Sequence, residues 1–152
     1  MDNTLEGKAA AEYACSLCAK LKVKYRLVIV FVVALYTKTK IGFINNFLSE
    51  NNAEIKQESE ADVRECQIFL GRFASLVKHE WVEARGEGSE SQVFLNYVSR
   101  HYPEKDMIVV GEPDSPAINK LVTNSVSSAV LRNVRCPVMV VKNQYDISDD
   151  EN

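Results

Sequence analysis

Several things are scarce in this chain of 152 residues, and each scarcity excludes a class. The four cysteines (Cys15, Cys18, Cys66 and Cys136) are too few and too scattered for a disulfide scaffold in a domain of this length. Four prolines and six glycines leave no low-complexity stretch, and a 46% hydrophobic content excludes compositional disorder. A basic excess is absent: 18 − 21 gives a net charge of −3, and the sequence pI is about 5.5. That balance argues against a domain held to nucleic acid by a basic surface. The longest apolar run, Leu27 to Tyr36 (LVIVFVVALY), is half of what a helix needs to span a bilayer. No charged-then-apolar leader and no Asn-x-Ser/Thr acceptor is found. No Ser-His-Asp order, catalytic carboxylate pair or complete phosphate-binding glycine loop marks an enzyme. The expectation is a non-catalytic, cytoplasmic chain that uses neither membrane nor nucleic acid.

What is there alternates. Glu6 to Leu21 is rich in good helix formers, with Ala10, Ala14, Leu17 and Leu21 as its apolar stripe and Asn3 or Thr4 as its cap. Leu27 to Leu35 is continuous and β-branched, the pattern of a strand covered on both faces. Tyr36 to Gln57 is polar and Asn-rich and reads as a long connection with one helical turn. From Glu58 to His79 a second helix is predicted, burying Val63, Cys66, Leu70, Phe73 and Val77. A short strand at Glu80 to Arg85, ended by Gly86 and Gly88, leads to a third helix at Ser91 to His101 with Val93, Phe94 and Tyr97 inward. Met107 to Val110 is a further strand, Ser125 to Asn133 the last helix, and Val138 to Lys142 the closing strand. Residues 1–142 thus form one α/β domain, an open parallel sheet with helices on both faces, and 143–152 an acidic tail.

The string DMIVVGEPDSPAINKLVTNSVSSAVLRNVRCPVMVVK, Asp106 to Lys142, resembles the C-terminal half of the universal stress protein (UspA-like) family. That pattern is an apolar strand, G-x2-G-x9-G-[ST], a helix and C-P-V-x-V-V; Gly111 fills its first glycine, Ser125 its hydroxyl, and Cys136-Pro137-Val138 opens the last strand. Asp2-Asn3-Thr4 before the alanine-rich helix resembles the family's V-D-x-S loop, and Leu27 to Val33 its second strand.

The resemblance implies a Rossmann-like domain of the adenine nucleotide alpha hydrolase-like kind, usually dimeric, that in many members binds ATP at the carboxyl ends of its strands. It points to Asp2 near the ribose or adenine and Val32 as an apolar wall for the base. Val110 and Gly111 would lie beneath the phosphates, with Ser125, Val126 and Ser127 offering donors at a helix N-terminus. The alternative is that Asn124, Ser125 and Ser127 only cap that helix.

Two departures from the family pattern stand out. The second and third glycines are replaced by Asp114 and Asn124. Asn tolerates left-handed backbone, so Asn124 is the mild change. A carboxylate at Asp114 about 5 Å from a phosphate charge repels it by roughly 3 kcal/mol at an effective dielectric near 20, unless it holds a Mg²⁺ bridging to the phosphates. In addition, the residues before Asp2 are too few for the family's first strand, expected between the Leu27 and Met107 strands. Either the sequence is truncated upstream, or the two neighbours close on each other. Homodimerisation through the last strand, weak ATP binding with or without Mg²⁺, and a nucleotide-independent dimeric scaffold are the functional expectations.

Other signals carry less. Cys15-x-x-Cys18 falls inside a helix among alanines, where small core residues are a better reading than a redox pair. His79 and His101 have no partner at metal-ligand spacing and read as surface residues at helix C-termini. Lys20 to Arg26 reads as a solvated turn, Cys136 as part of a strand entrance, and Trp81 and Val82 as ordinary sheet residues.

Overall fold

Thr4 begins the fold by capping helix α1 (Leu5–Lys20), its Oγ1 accepting from the Gly7 N–H at 3.1 Å. The computed structural model describes residues 1–35, 42–112 and 125–142, with backbone alone over 42–56. Strand β1 (Leu27–Leu35) is followed by α2 (Gly42–Gly71), β2 (His79–Glu87), α3 (Glu90–His101), β3 (Ile108–Gly111), α4 (Val126–Asn133) and β4 (Val138–Val141). Among the described residues no helix is long and apolar enough to cross a membrane.

The buried face of α1 is made of Gly7, Ala10, Ala11, Ala14 and Cys15, so Ala10 and Ala14 of the expected stripe are buried while Leu17 and Leu21 are not. Leu21 has already left the helix into extended backbone and is exposed, whereas the small residues let α1 lie close on the sheet. Helix α2 is the larger correction. The Asn-rich segment expected as a connection is helical from Gly42 onward. Extending a helix that the Val63 face has already anchored needs only propagation, which is far cheaper than nucleation. Its other end stops at Gly71 rather than His79, tightening into i→i+3 bonds such as Phe73 N–H to Leu70 O at 2.9 Å. Val63, Cys66, Leu70 and Val77 are buried as expected; Phe73 is only half-buried, its ring tilted on Phe69 at 5.7 Å.

Strand β2 runs through Gly86 to Glu87 because its parallel register with β1, from Leu27 opposite His79 to Leu35 opposite Glu87, holds it there. A Cβ on Gly86 would lie 3.2 Å from Val93 Cγ2, so the glycine lets α3 approach. The turn itself is at Gly88, whose φ of +111° favours glycine. His79 therefore opens a strand instead of ending a helix, and His101 is the last residue of α3. In α3 the inward residues are Val93, Phe94 and Val98; Tyr97 is half-buried, edge-on to His101 at 4.2 Å.

β1 pairs with β2 and β3 with β4, each pair parallel. α1 and α2 pack on one face, where Ile29, Phe31 and Val33 join Cys15, Cys66 and Leu70 in two adjoining clusters. α3 and α4 pack on the other, where Phe94, Val98, Ile108 and Val130 gather against Val30 and Val32. This is the expected α/β architecture of parallel strands with helices on both faces. The two pairs do not close on each other: no Cα of β1 lies within 8 Å of one in β3. Paired strands sit about 4.8 Å apart, so the interval is too wide for direct pairing. α1 bridges it by packing on β1, β3 and β4.

Candidate functional site

The carboxyl ends of the strands are where α1, α3 and α4 begin, each with a hydroxyl cap: Thr4, Ser89 and Ser125. At α4 the Ser125 Oγ accepts the Ser128 N–H at 3.2 Å and lies 3.2 Å from the Ser127 Oγ and 2.9 Å from the Ser128 Oγ. Ser127 is buried. Both hydroxyls expected to face a ligand are thus engaged in a local network, and the capping role of Ser125 is explicit.

Val32, Val110 and Val126 are brought together from β1, β3 and α4, all packed against the Phe94–Val98–Ile108–Val130 cluster. Gly111 ends β3 beneath the first turn of α1, and a Cβ there would lie 2.5 Å from the Glu6 carbonyl oxygen. That glycine is needed by the helix above it, whatever ligand comes near. Asp2 turns onto the start of α1, where its Oδ1 accepts from the Thr4 N–H at 3.2 Å and from the Thr4 hydroxyl at 2.5 Å. Asp114 and Asn124 lie outside the described residues.

Three groups missed in the sequence gather near Asp2. The Met1 amine donates to the Val30 carbonyl at 2.6 Å. Burial lowers its pKa from the ordinary value, a shift that Asp2 opposes. The Glu90 carboxyl is shifted the other way, upward, by burial first and by Asp2 second. Glu6 adds its backbone against Gly111. Glu90 was legible in one respect: Ser89-x-x-Gln92 is a capping box, present here with both bonds, and it starts α3 a residue before the expected Ser91. What brings Glu90 to Asp2 is tertiary and left no local signal.

The remaining sequence signals resolve simply. Burial pushes the Cys15 and Cys18 thiols up, the reverse of a reactive pair. Cys66, wholly buried, is pushed up to about 11, again chiefly by burial. Arg26 pairs with Glu80 at 2.8 Å in solvent and lies over the Tyr102 ring. Asn3 donates to Asp62 at 2.9 Å and Glu65 at 2.8 Å, tying the start of α1 to α2. Among the described residues no three His, Cys, Asp or Glu side chains could hold a metal ion together.

A parallel α/β fold interrupted at mid-sheet, with helix N-termini converging there, defines the class: open sheets of this kind bind ligands at such a crevice. Three comparisons narrow it. The model of the universal stress protein family matches residues 1–142. Among solved structures, universal stress protein UspA from Lactobacillus plantarum is similar at 21% identity and a TM-score of 0.65, over 88% of each chain. Hypothetical protein MJ0577 is similar at 14% identity and a TM-score of 0.60, over 88% of this chain and 85% of the other. A universal stress protein in complex with cAMP is similar at 17% identity and a TM-score of 0.51, over 94% and 92%. No curated protein matches the sequence. The chain belongs to the universal stress protein family.

Proposed function

We propose that this protein is a non-catalytic stress-response or signalling module that binds an adenine nucleotide weakly at the carboxyl ends of its strands. Its domain is residues 1–142, with 143–152 as an acidic tail. The observation that carries the reading is the convergence of Val32, Val110 and Val126 on one apolar cluster beside the Ser125 cap of α4. An apolar wall next to a helix N-terminus suits a base and its phosphate. The similarity to a protein solved with cAMP supports the same ligand class.

Charge sets the weakness. Asp2, Glu6 and Glu90 sit near the same end, and Asp114 adds a fourth carboxylate in the degraded glycine pattern. A nucleotide of low charge, or one neutralised by Mg²⁺, is favoured there over free ATP. The module acts as a cytoplasmic homodimer through β4, whose outer edge carries Met139 exposed.

The second reading is a dimeric scaffold that binds no nucleotide. The engagement of Ser125 and Ser127 with each other and with Ser128 favours it. A thermal-shift titration separates the two. Ligand at 100 times its Kd adds about 2.7 kcal/mol of stability. A shift with cAMP or ATP-Mg supports binding; none at millimolar concentration of either leaves the scaffold. Sedimentation showing only monomer at micromolar concentration would remove the dimer.

A further inference from the structure

The amino ends of the strands form the pole opposite the candidate site, and four connections meet there. Arg26, before β1, pairs with Glu80 of β2 at 2.8 Å, and its guanidinium lies 5.5 Å from the centroid of the Tyr102 ring, before β3. Pro137, before β4, accepts the Ile108 N–H at 3.0 Å. Among the described residues, ten lysines and arginines stand at this pole, in 20–26, 72–80, 100–107 and 132–137. Only three carboxylates, Glu80, Glu104 and Asp106, oppose them. The rest of the described side chains reverse the balance, with four cations against eleven carboxylates. A whole-chain net charge of −3 therefore conceals a pole with a net of seven positive charges.

Helix dipoles explain only part of this. Lys20, Arg100 and Arg132 stand in the last turns of α1, α3 and α4, where a cation is favoured. Lys22, Lys24, Arg26, Lys78, Lys105 and Arg135 lie in the connections, beyond any helix. Among the described residues, Arg26 is the one cation of this pole in an ion pair. Like charges gathered this way repel one another, a cost that a partner of opposite sign relieves. Apolar side chains protrude among them. In Lys20-Leu21-Lys22-Val23-Lys24, cation and apolar residue alternate, with Leu21 42% and Val23 67% exposed. Before β2, Leu76 is 65% exposed between Arg72 and Lys78. These two segments follow α1 and α2, whose ends share one face of the sheet, where Cys18 and Phe73 pack on the same cluster.

We propose that this pole is a peripheral docking surface for an anionic bilayer. Its cations meet lipid phosphates and carboxylates, while Leu21, Val23 and Leu76 enter the boundary between headgroups and acyl chains. The protruding groups select this partner. Aliphatic tips gain by leaving water for acyl chains, whereas the bases of a nucleic acid call for aromatic rings to stack on. The cations come from four separate connections, which a broad charged plane engages together and a single extended peptide does not. The crevice at the carboxyl ends lies at the other pole and stays open, so the proposal stands independently of nucleotide binding.

Sedimentation of the 152-residue chain with vesicles tests it. Vesicles of phosphatidylcholine with about one-third phosphatidylserine are expected to carry the protein down, and vesicles of phosphatidylcholine alone are not. Lys22→Ala with Lys24→Ala is expected to weaken binding about thirtyfold, since each cation near such a surface is worth about fivefold. Leu21→Ser with Val23→Ser keeps every charge and is expected to weaken it about tenfold. Arg64→Ala with Lys142→Ala removes the same charge away from this pole and is expected to leave binding within about twofold. All six residues are exposed or nearly so, and each variant is expected to keep the parent thermal midpoint. No binding to the anionic vesicles, equal binding to both kinds, or equal weakening by the Arg64 and Lys142 pair overturns the proposal. Full binding by the Leu21 and Val23 variant overturns it as well. So does a preference for polyuridylate or polyglutamate over the vesicles, which would give the surface to a nucleic acid or an acidic protein.

Discussion

Gly111 and Glu6 touch backbone to backbone: a Cβ at Gly111 would stand 2.5 Å from the Glu6 carbonyl oxygen and 2.6 Å from its carbon. The end of β3 and the first turn of α1 are thereby locked together across the interrupted sheet. Because both partners are main chain, neither yields as a flexible side chain would. Gly111→Ala is expected to lower stability by about 1–3 kcal/mol, the usual cost of overpacking. Denaturant unfolding measures it, and an unchanged midpoint would show that α1 shifts freely.

Leu70 holds the α2 side of the core at 1% exposure. It belongs to the cluster of Ala11, Cys15, Ile29 and Val77. Leu70→Ala is expected to cost about 2–5 kcal/mol, read as a lower denaturation midpoint. Ile68, two residues away and 75% exposed, is the control: Ile68→Ala is expected to change stability by no more than about 0.5 kcal/mol.

Ser125 caps α4 through the Ser128 N–H. Ser125→Ala is expected to cost about 1 kcal/mol. The same variant discriminates the two functional readings. A nucleotide shift that survives in Ser125→Ala shows that the hydroxyl serves the helix alone; one that disappears assigns it to the ligand as well.

Two groups near Asp2 make stability depend on pH in opposite senses. Glu90 is raised from 4.5, so the native state keeps a proton that the unfolded chain has lost. Stability therefore falls as pH climbs from about 4.5 through the native pKa. The Met1 amine is lowered from 8.0, so in its window the unfolded chain is the one holding the extra proton. There stability rises as pH climbs from the native pKa to about 8.0. Glu90→Gln is expected to abolish the fall, and N-terminal acetylation the rise. Denaturation midpoints across pH 4 to 9 check both, and a profile unchanged by either modification would count against the placement of these groups beside Asp2.

Asp114 stands at the second glycine position of the family's loop pattern. Asp114→Gly is expected to tighten nucleotide binding about a hundredfold by removing roughly 3 kcal/mol of repulsion. Isothermal titration with and without Mg²⁺ reads it. Weaker binding by the variant in Mg²⁺ alone would instead make Asp114 a metal-bridging ligand.

The sequence by itself determined the alternation of helices and strands, the α/β class and the family. Those rest on short-range properties: the unbroken apolar run at Leu27 to Leu35, the Thr4 and Ser125 caps, and Gly111 with Cys136-Pro137 in the closing third. It misjudged Gly42 to Gln57, because an Asn-rich segment has no helix signal of its own and becomes helical as the extension of one anchored further on. It also misjudged Leu17 and Leu21, because apolar periodicity does not say which face meets a sheet when smaller residues allow closer approach. Only the tertiary structure decided that β1 and β3 stay apart, that Met1 reaches Val30, and that Glu90 comes near enough to Asp2 to feel its charge. Each depends on residues 29 to 88 positions apart in the chain, from Met1–Val30 to Asp2–Glu90, and no local pattern encodes a meeting that only packing brings about.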